Sequence, residues 1–269
     1  MSVISQRFIS PVTANFRLVS PPPSRVFRIA RDPWVPPPWD YATNITLPKT
    51  FGGRFDDPSG RWGVPIDGRY RTLYCTTERI GAFAETASQF RVKLPELMQR
   101  VRGFVKDAGE DEAMQFRERG AIQRDWLGKK RIGSTLLDAS LRFIDLESSQ
   151  TLQTLNRVPR LAHLAVRLGL DEIDRRVLVL RDEYMRLSQE IGYWAYHQLD
   201  DRGNPIAGVR YLSRVGGEWE CWGLFDTRVA GWHGPSFAEA ISSTDPDLHA
   251  VASIFALDIE VLPGQYISP

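Results

Sequence analysis

The segment that most constrains this chain is EYMRLSQEIGYWAYHQ, residues 183 to 198, together with the two strand-like runs beyond it. Tyr184, Leu187, Ile191, Trp194 and Ala195 recur at helical spacing, so one face of a helix here is apolar. A polar turn, DDRGNP, then leads directly into IAGVRYLS and WECWGLF, the two runs that flank Gly216 and Gly217. Paired runs across a glycine turn read as an antiparallel hairpin. A helix feeding a hairpin does not belong to a regularly alternating, doubly wound sheet.

The rest of the chain repeats this irregular mixture. RVFRIA, residues 25 to 30, alternates, with Val26, Arg28 and Ala30 on one face and Phe27 and Ile29 on the other. TLYCT, residues 72 to 76, is a second strand, and it runs into ERIGAFAETASQF, where Ile80, Phe83, Ala84 and Ala87 keep a helical period. A helix is expected in LPELMQRVRGF, with Pro95 in its first turn. Residues 107 to 130 are charged and give no clear pattern. RIGSTLL and LRFIDL, between 131 and 146, read as strands, and SSQTLQTL opens a helix with Ser148 or Ser149 as its cap. A short helix and a strand near Ala256 to Leu262 close the chain. Strands and helices without regular alternation predict an α+β fold. Residues 1 to 24, ending in SPPP, read as an arm, and residues 25 to 269 as one domain.

Composition excludes several classes. In 269 residues, 34 Lys and Arg nearly balance 33 Asp and Glu, so no global field attracts nucleic acid or an anionic membrane. No apolar run approaches the roughly 18 residues of a membrane span. The start of the chain lacks a signal-peptide pattern, and Cys75 and Cys221 form no disulfide framework. A cytoplasmic location is therefore expected. Phosphate-loop, dinucleotide GxGxxG, HExxH and GxSxG motifs are absent, and His163, His197, His233 and His249 have no ligand spacing, so no metal site is expected.

One stretch carries more chemistry than a connecting turn requires. In FGGRFDDPSGRW, residues 51 to 62, a glycine pair precedes Arg54, and Asp56-Asp57-Pro58 makes an acidic corner before Arg61. Taken with VFRIA, LYCTTERIGAFAET, LSQEIGYWAYHQL, IAGVRYLSR and WECWGLFD, it resembles the RES family. This is the arginine–glutamate–serine domain of bacterial toxin–antitoxin toxins, related in fold to ADP-ribosyltransferases. The resemblance spans residues 25 to 226 and rests on the order of the motifs, since none is specific alone. It maps the family's residues onto Arg28, Arg54, Tyr74, Glu85 and Ser213, with GRW at 60 to 62 competing with GRF at 53 to 55 for the arginine turn. GRF is preferred because GGRFDDP keeps the aspartate–proline corner seen in one branch of the family it resembles.

The resemblance implies an ADP-ribosyltransferase-like domain of central mixed and antiparallel strands flanked by helices. It implies NAD as a substrate, not a bound cofactor, cleaved between nicotinamide and ribose. Glu85 would stabilise the oxocarbenium-like ribose, and Arg28 or Arg54 would pair with the pyrophosphate. Tyr74 would offer a ring face, Ser213 a hydroxyl to the amide or ribose, and Gly53 close approach of the backbone. Water or inorganic phosphate would accept the ADP-ribose; a protein acceptor, or an inactive binding module, are the alternative readings. A helix-turn-helix (Xre-like) antitoxin and a homodimer are the implied partners. Taken singly, each residue also fits a structural role: Arg28 on a solvent face, Arg54 paired with Asp56 or Asp57, Tyr74 in the core, Glu85 solvated and Ser213 in a turn.

Overall fold

A computed structural model describes residues 15–31, 52–92, 120–175, 177, 184–229 and 237–269. The helix expected around Pro95 lies outside them. Among the described residues the strands form one eight-stranded mixed sheet and a smaller three-stranded one, with helices packed on them, as the α+β expectation requires.

The large sheet is built from β1 (Leu18–Val19), β2 (Val26–Arg31), β3 (Thr72–Thr76), β5 (Lys130–Thr135), β6 (Phe143–Asp145), β7 (Gly208–Leu212), β8 (Glu220–Phe225) and β9 (Phe237–Ala240). Their spatial order is β1-β6-β7-β8-β3-β2-β5-β9. Every neighbouring pair is antiparallel except β6 with β7. β7 and β8 form the hairpin expected around Gly216 and Gly217, with Tyr211 opposite Cys221. The described part of the segment before residue 25 contributes β1, which pairs with β6 at the sheet edge. The small sheet joins β4 (Gly120–Ile122), inside the stretch that gave no clear pattern, to β10 (Leu257–Leu262) in parallel; β11 (Gln265–Ile267) pairs with β10's other side.

The helices are α1 (Arg79–Ala87), α2 (Arg124–Lys129), α3 (Ser149–Arg157), α4 (Pro159–Arg167), α5 (Met185–Tyr196), α6 (Asp226–Val229) and α7 (Pro246–Ile254). Ser148 occupies the N-cap position of α3, but its side chain makes no capping hydrogen bond. On α5, Leu187, Ile191 and Ala195 are buried as their spacing predicts. Ser188, Gln189 and Glu190 are buried as well, because each meets a polar partner: Ser188 Oγ donates to the Val177 carbonyl, Gln189 Nε2 donates to the Gly53 carbonyl, and Glu190 pairs with Arg160.

Strand register and packing place the helices. Val209, Tyr211, Cys221 and Phe225 belong to one core cluster with Leu155, Leu161, Leu187 and Ile191, so α3, α4 and α5 cover one half of a sheet face. Ile29 joins Phe83, Ala84, Ala87, Leu248 and Val251 in a second cluster, with Phe27 packed against it; this puts α1 and α7 over the other half of the same face. Val26, Leu73, Cys75, Trp222 and Leu224 pack together on the reverse face.

The sheet parts where the two halves meet. β2 bonds along its whole length to β5, and β3 along its whole length to β8, yet β2 and β3 are joined only at Phe27 and Thr76. The next antiparallel partners, Arg28 with Cys75 and Ile29 with Tyr74, are not paired. An internal gap in a sheet leaves room and polar backbone groups between its strands.

Candidate active site

A cavity of about 260 Å³ occupies this gap. Arg28 lines it from β2, Tyr74 and Cys75 from β3, Glu85 from α1, and Gly53 and Arg54 from the preceding loop. Tyr211, Arg214 and Cys221 come from the hairpin. Arg28 shares a strand face with Val26, opposite α1; the parting of β2 and β3 is what lets it border the same cavity as Glu85.

The loop carrying Arg54 is tied down residue by residue. Asp56 accepts hydrogen bonds from the Gly53 N–H (2.6 Å) and the Thr72 N–H (2.9 Å). The Phe55 N–H donates to Tyr74 Oη (2.9 Å), and Thr72 Oγ1 donates to the Phe55 carbonyl (2.8 Å). Phe55 itself is fully buried, edge-on to Tyr211 with ring centroids 5.3 Å apart. Asp57 accepts from the Ser59 N–H (2.7 Å) and so caps the short 3-10 turn Pro58–Trp62. The acidic corner thus holds the loop, and neither aspartate neutralises Arg54. Gly53 must lack a side chain here, since a Cβ would fall 2.5 Å from Tyr74 Oη and 2.8 Å from Asp56 Oδ2. Burial pushes the Asp56 carboxyl up to about 6 against these two backbone hydrogen bonds.

Arg54 is 6% exposed, and its Nη1 is buried without a hydrogen-bond partner. Its guanidinium lies 4.7 Å from the Tyr211 ring centroid, a cation–π contact. Burial opposes its charge, but Tyr211, Glu85 and Tyr74 together more than offset that, leaving its pKa above the ordinary value. A buried, charged donor without a partner, bordering a cavity, is suited to an anionic ligand. Arg61, the competing arginine, does not line the cavity; it hydrogen-bonds Gln189 instead.

Glu85 receives Ser213 Oγ at 2.5 Å and, more weakly, Cys221 Sγ at 3.8 Å, both on Oε1. Among the described residues no hydrogen bond engages Oε2. The Ser213 hydroxyl, 4% exposed, also accepts from the Val215 N–H at 3.1 Å. It therefore braces Glu85 and its own turn, and one lone pair of the hydroxyl is left beyond these two bonds. Tyr74 likewise spends its hydroxyl on Phe55, while it borders the cavity. Burial pushes the Cys75 thiol up to about 12 and raises Cys221 further with the help of Glu85, so neither is a thiolate nucleophile near neutrality.

All six expected residues thus converge on one place: Arg28, Gly53, Arg54, Tyr74 and Glu85 border the cavity, and Ser213 braces Glu85 from behind. Sequence reasoning missed Tyr211, Arg214 and Cys221. Tyr211 stands two residues before Ser213, and period-two alternation puts both on one strand face, a signal that was available. No group of three or more metal-ligating side chains occurs among the described residues, and no described helix is long and apolar enough to cross a membrane.

Comparison with curated proteins and with solved structures gives no significant match. The family model of the RES domain matches residues 25–242, most of the chain and every residue of the cavity. This chain belongs to the RES domain family.

Proposed function

We propose that the protein cleaves NAD between nicotinamide and ribose and acts as the toxin of a toxin–antitoxin pair. The observation that carries this reading is the pairing, in one cavity, of a braced carboxylate with a buried arginine that lacks a hydrogen-bond partner at Nη1. As the glycosidic bond lengthens, its electron pair leaves with neutral nicotinamide and positive charge spreads over the ribose. Glu85, held through Oε1, presents Oε2 to that charge and to a ribose hydroxyl. A neutral leaving group needs no strong general acid, which agrees with a cavity whose described lining holds no histidine. Arg54, and Arg28 across the gap, supply charge for the pyrophosphate.

Small-molecule sites commonly span about 300–1,000 Å³. A cavity of about 260 Å³ suits the nicotinamide–ribose end, with the adenosine end extending outside. The anomeric carbon then takes the oxygen of water, giving ADP-ribose and a released proton, or of inorganic phosphate, giving the 1″-phosphate. A helix-turn-helix antitoxin covering the cavity mouth and a homodimeric, cytoplasmic toxin complete the proposal.

The test is to incubate purified protein with NAD and quantify free nicotinamide, with Glu85→Gln alongside. Release by the wild type and none by a folded Glu85→Gln is the expected result. No release by folded wild type overturns the proposal, and labelled ADP-ribose retained on protein replaces it with a transferase.

A further inference from the structure

The arginine turn is also gripped from outside the cavity. Gln189, on α5 and 5% exposed, donates from Nε2 to the Gly53 carbonyl at 3.1 Å and accepts at Oε1 from Arg61 Nη2. A guanidinium only donates, so the bond to Arg61 dictates which end of the amide faces Gly53. The Gly53 carbonyl belongs to the peptide bond leading into Arg54, and the Asp56 N–H donates to it as well at 3.3 Å. With Gly53 N–H bound to Asp56 Oδ2, both polar groups of that residue are occupied.

One turn further along α5, Gly192 lies directly under the residue after Arg54. A Cβ there would sit 2.7 Å from the Phe55 carbonyl oxygen and 2.8 Å from its Cα. The helix therefore touches the turn on both sides of Arg54. Arg54 Nη1 has no hydrogen bond, so the guanidinium is held by this backbone together with its contacts to Phe55 and Tyr211.

We infer that Gln189, oriented by Arg61, is a positioning residue for Arg54. The two arginine turns are then one device: GRF supplies the cation to the cavity, and GRW holds the glutamine that sets it. The inference rests on the reading that Arg54 binds the pyrophosphate of NAD.

Steady-state kinetics and amide hydrogen exchange test it together. Gln189→Leu removes one buried hydrogen bond from the turn, and the KM for NAD should rise about tenfold with kcat changed less than about twofold. Gln189→Glu keeps the pair with Arg61 but sets a carboxylate oxygen against the Gly53 carbonyl, and should be no better. Arg61→Lys keeps a donor for Oε1 and should retain near-normal KM, whereas Arg61→Met should raise it and add little on top of Gln189→Leu. The Asp56 amide, which donates to the same carbonyl, should exchange faster in Gln189→Leu and Arg61→Met.

Unchanged KM and unchanged exchange in a folded Gln189→Leu overturn the inference, as does lowered stability with KM untouched. If wild-type protein releases no nicotinamide, the functional reading falls by itself and exchange alone decides. Faster exchange in both variants then sustains the positioning role, and unchanged exchange ends it.

Discussion

The Ser213 hydroxyl donates a 2.5 Å hydrogen bond to Oε1 of Glu85 across 128 residues of chain. The serine comes directly after β7 and the glutamate is in the last turn of α1. Cys221 Sγ approaches the same oxygen, which leaves the other one clear of hydrogen bonds among the described residues. A carboxylate bound on one side only has a fixed orientation and a fixed working oxygen.

Ser213→Ala should therefore act on rate more than on binding. A charge-assisted hydrogen bond contributes roughly 1.5–3 kcal/mol, so kcat should fall about ten- to a hundredfold with little change in KM. Steady-state kinetics checks this. With expression matched and no antitoxin present, growth arrest and NAD depletion should weaken in parallel; equal toxicity with unchanged NAD would count against an enzymatic toxin.

Glu85→Gln should abolish turnover and leave the fold standing. The amide keeps the shape of the side chain and its oxygen can still accept from Ser213, while the charge facing the ribose is gone. Thermal unfolding close to wild type together with no nicotinamide release is the expected pair of results. Near-normal turnover removes Glu85 from the mechanism.

Arg54→Ala should weaken NAD binding by about ten- to a hundredfold, and Arg61→Ala by less. Only Arg54 lines the cavity; Arg61 reaches it through Gln189. Titrating NAD against both variants decides the order, and a greater loss at Arg61 reverses the assignment.

Gly53→Ala should destabilise the protein by about 1–3 kcal/mol and lower NAD affinity as well. The added methyl meets Tyr74 Oη and Asp56 Oδ2 well inside contact distance, so the turn or the tyrosine must move. Urea unfolding and NAD titration measure the two effects.

Asp56 should show an unusual pH dependence. Burial raises its carboxyl from 3.8 to about 6 in the folded protein, so between those values the native state binds more protons than the unfolded one. Its contribution to stability is fully present below about 3.8 and is lost as pH rises through about 6. Relative to Asp56→Asn, the wild type should gain stability as pH falls from about 7 to about 4.5, by about 2 kcal/mol. Urea midpoints at the two pH values test this; no relative gain contradicts the raised pKa.

Much of this molecule is legible in the sequence because burial leaves a local, periodic trace. Alternation marks β2 and β3, the apolar stripe marks α5, and two glycines mark the β7–β8 hairpin; these are short-range consequences of which face meets the core. The ordered motifs also led to Arg28, Arg54, Tyr74 and Glu85 at the cavity and to Ser213 behind it. What the sequence does not encode locally is strand neighbourhood. The parallel pairing of β4 with β10, the parting of β2 from β3 and the approach of Ser213 to Glu85 join segments far apart in the chain. The same limit hid the polar side of α5. Ser188, Gln189 and Glu190 are buried, whereas spacing reports only that they are not part of the apolar stripe. Tertiary packing decided that Gln189 would meet the arginine loop, where unpaired polar groups are costly and a glutamine between Gly53 and Arg61 satisfies both.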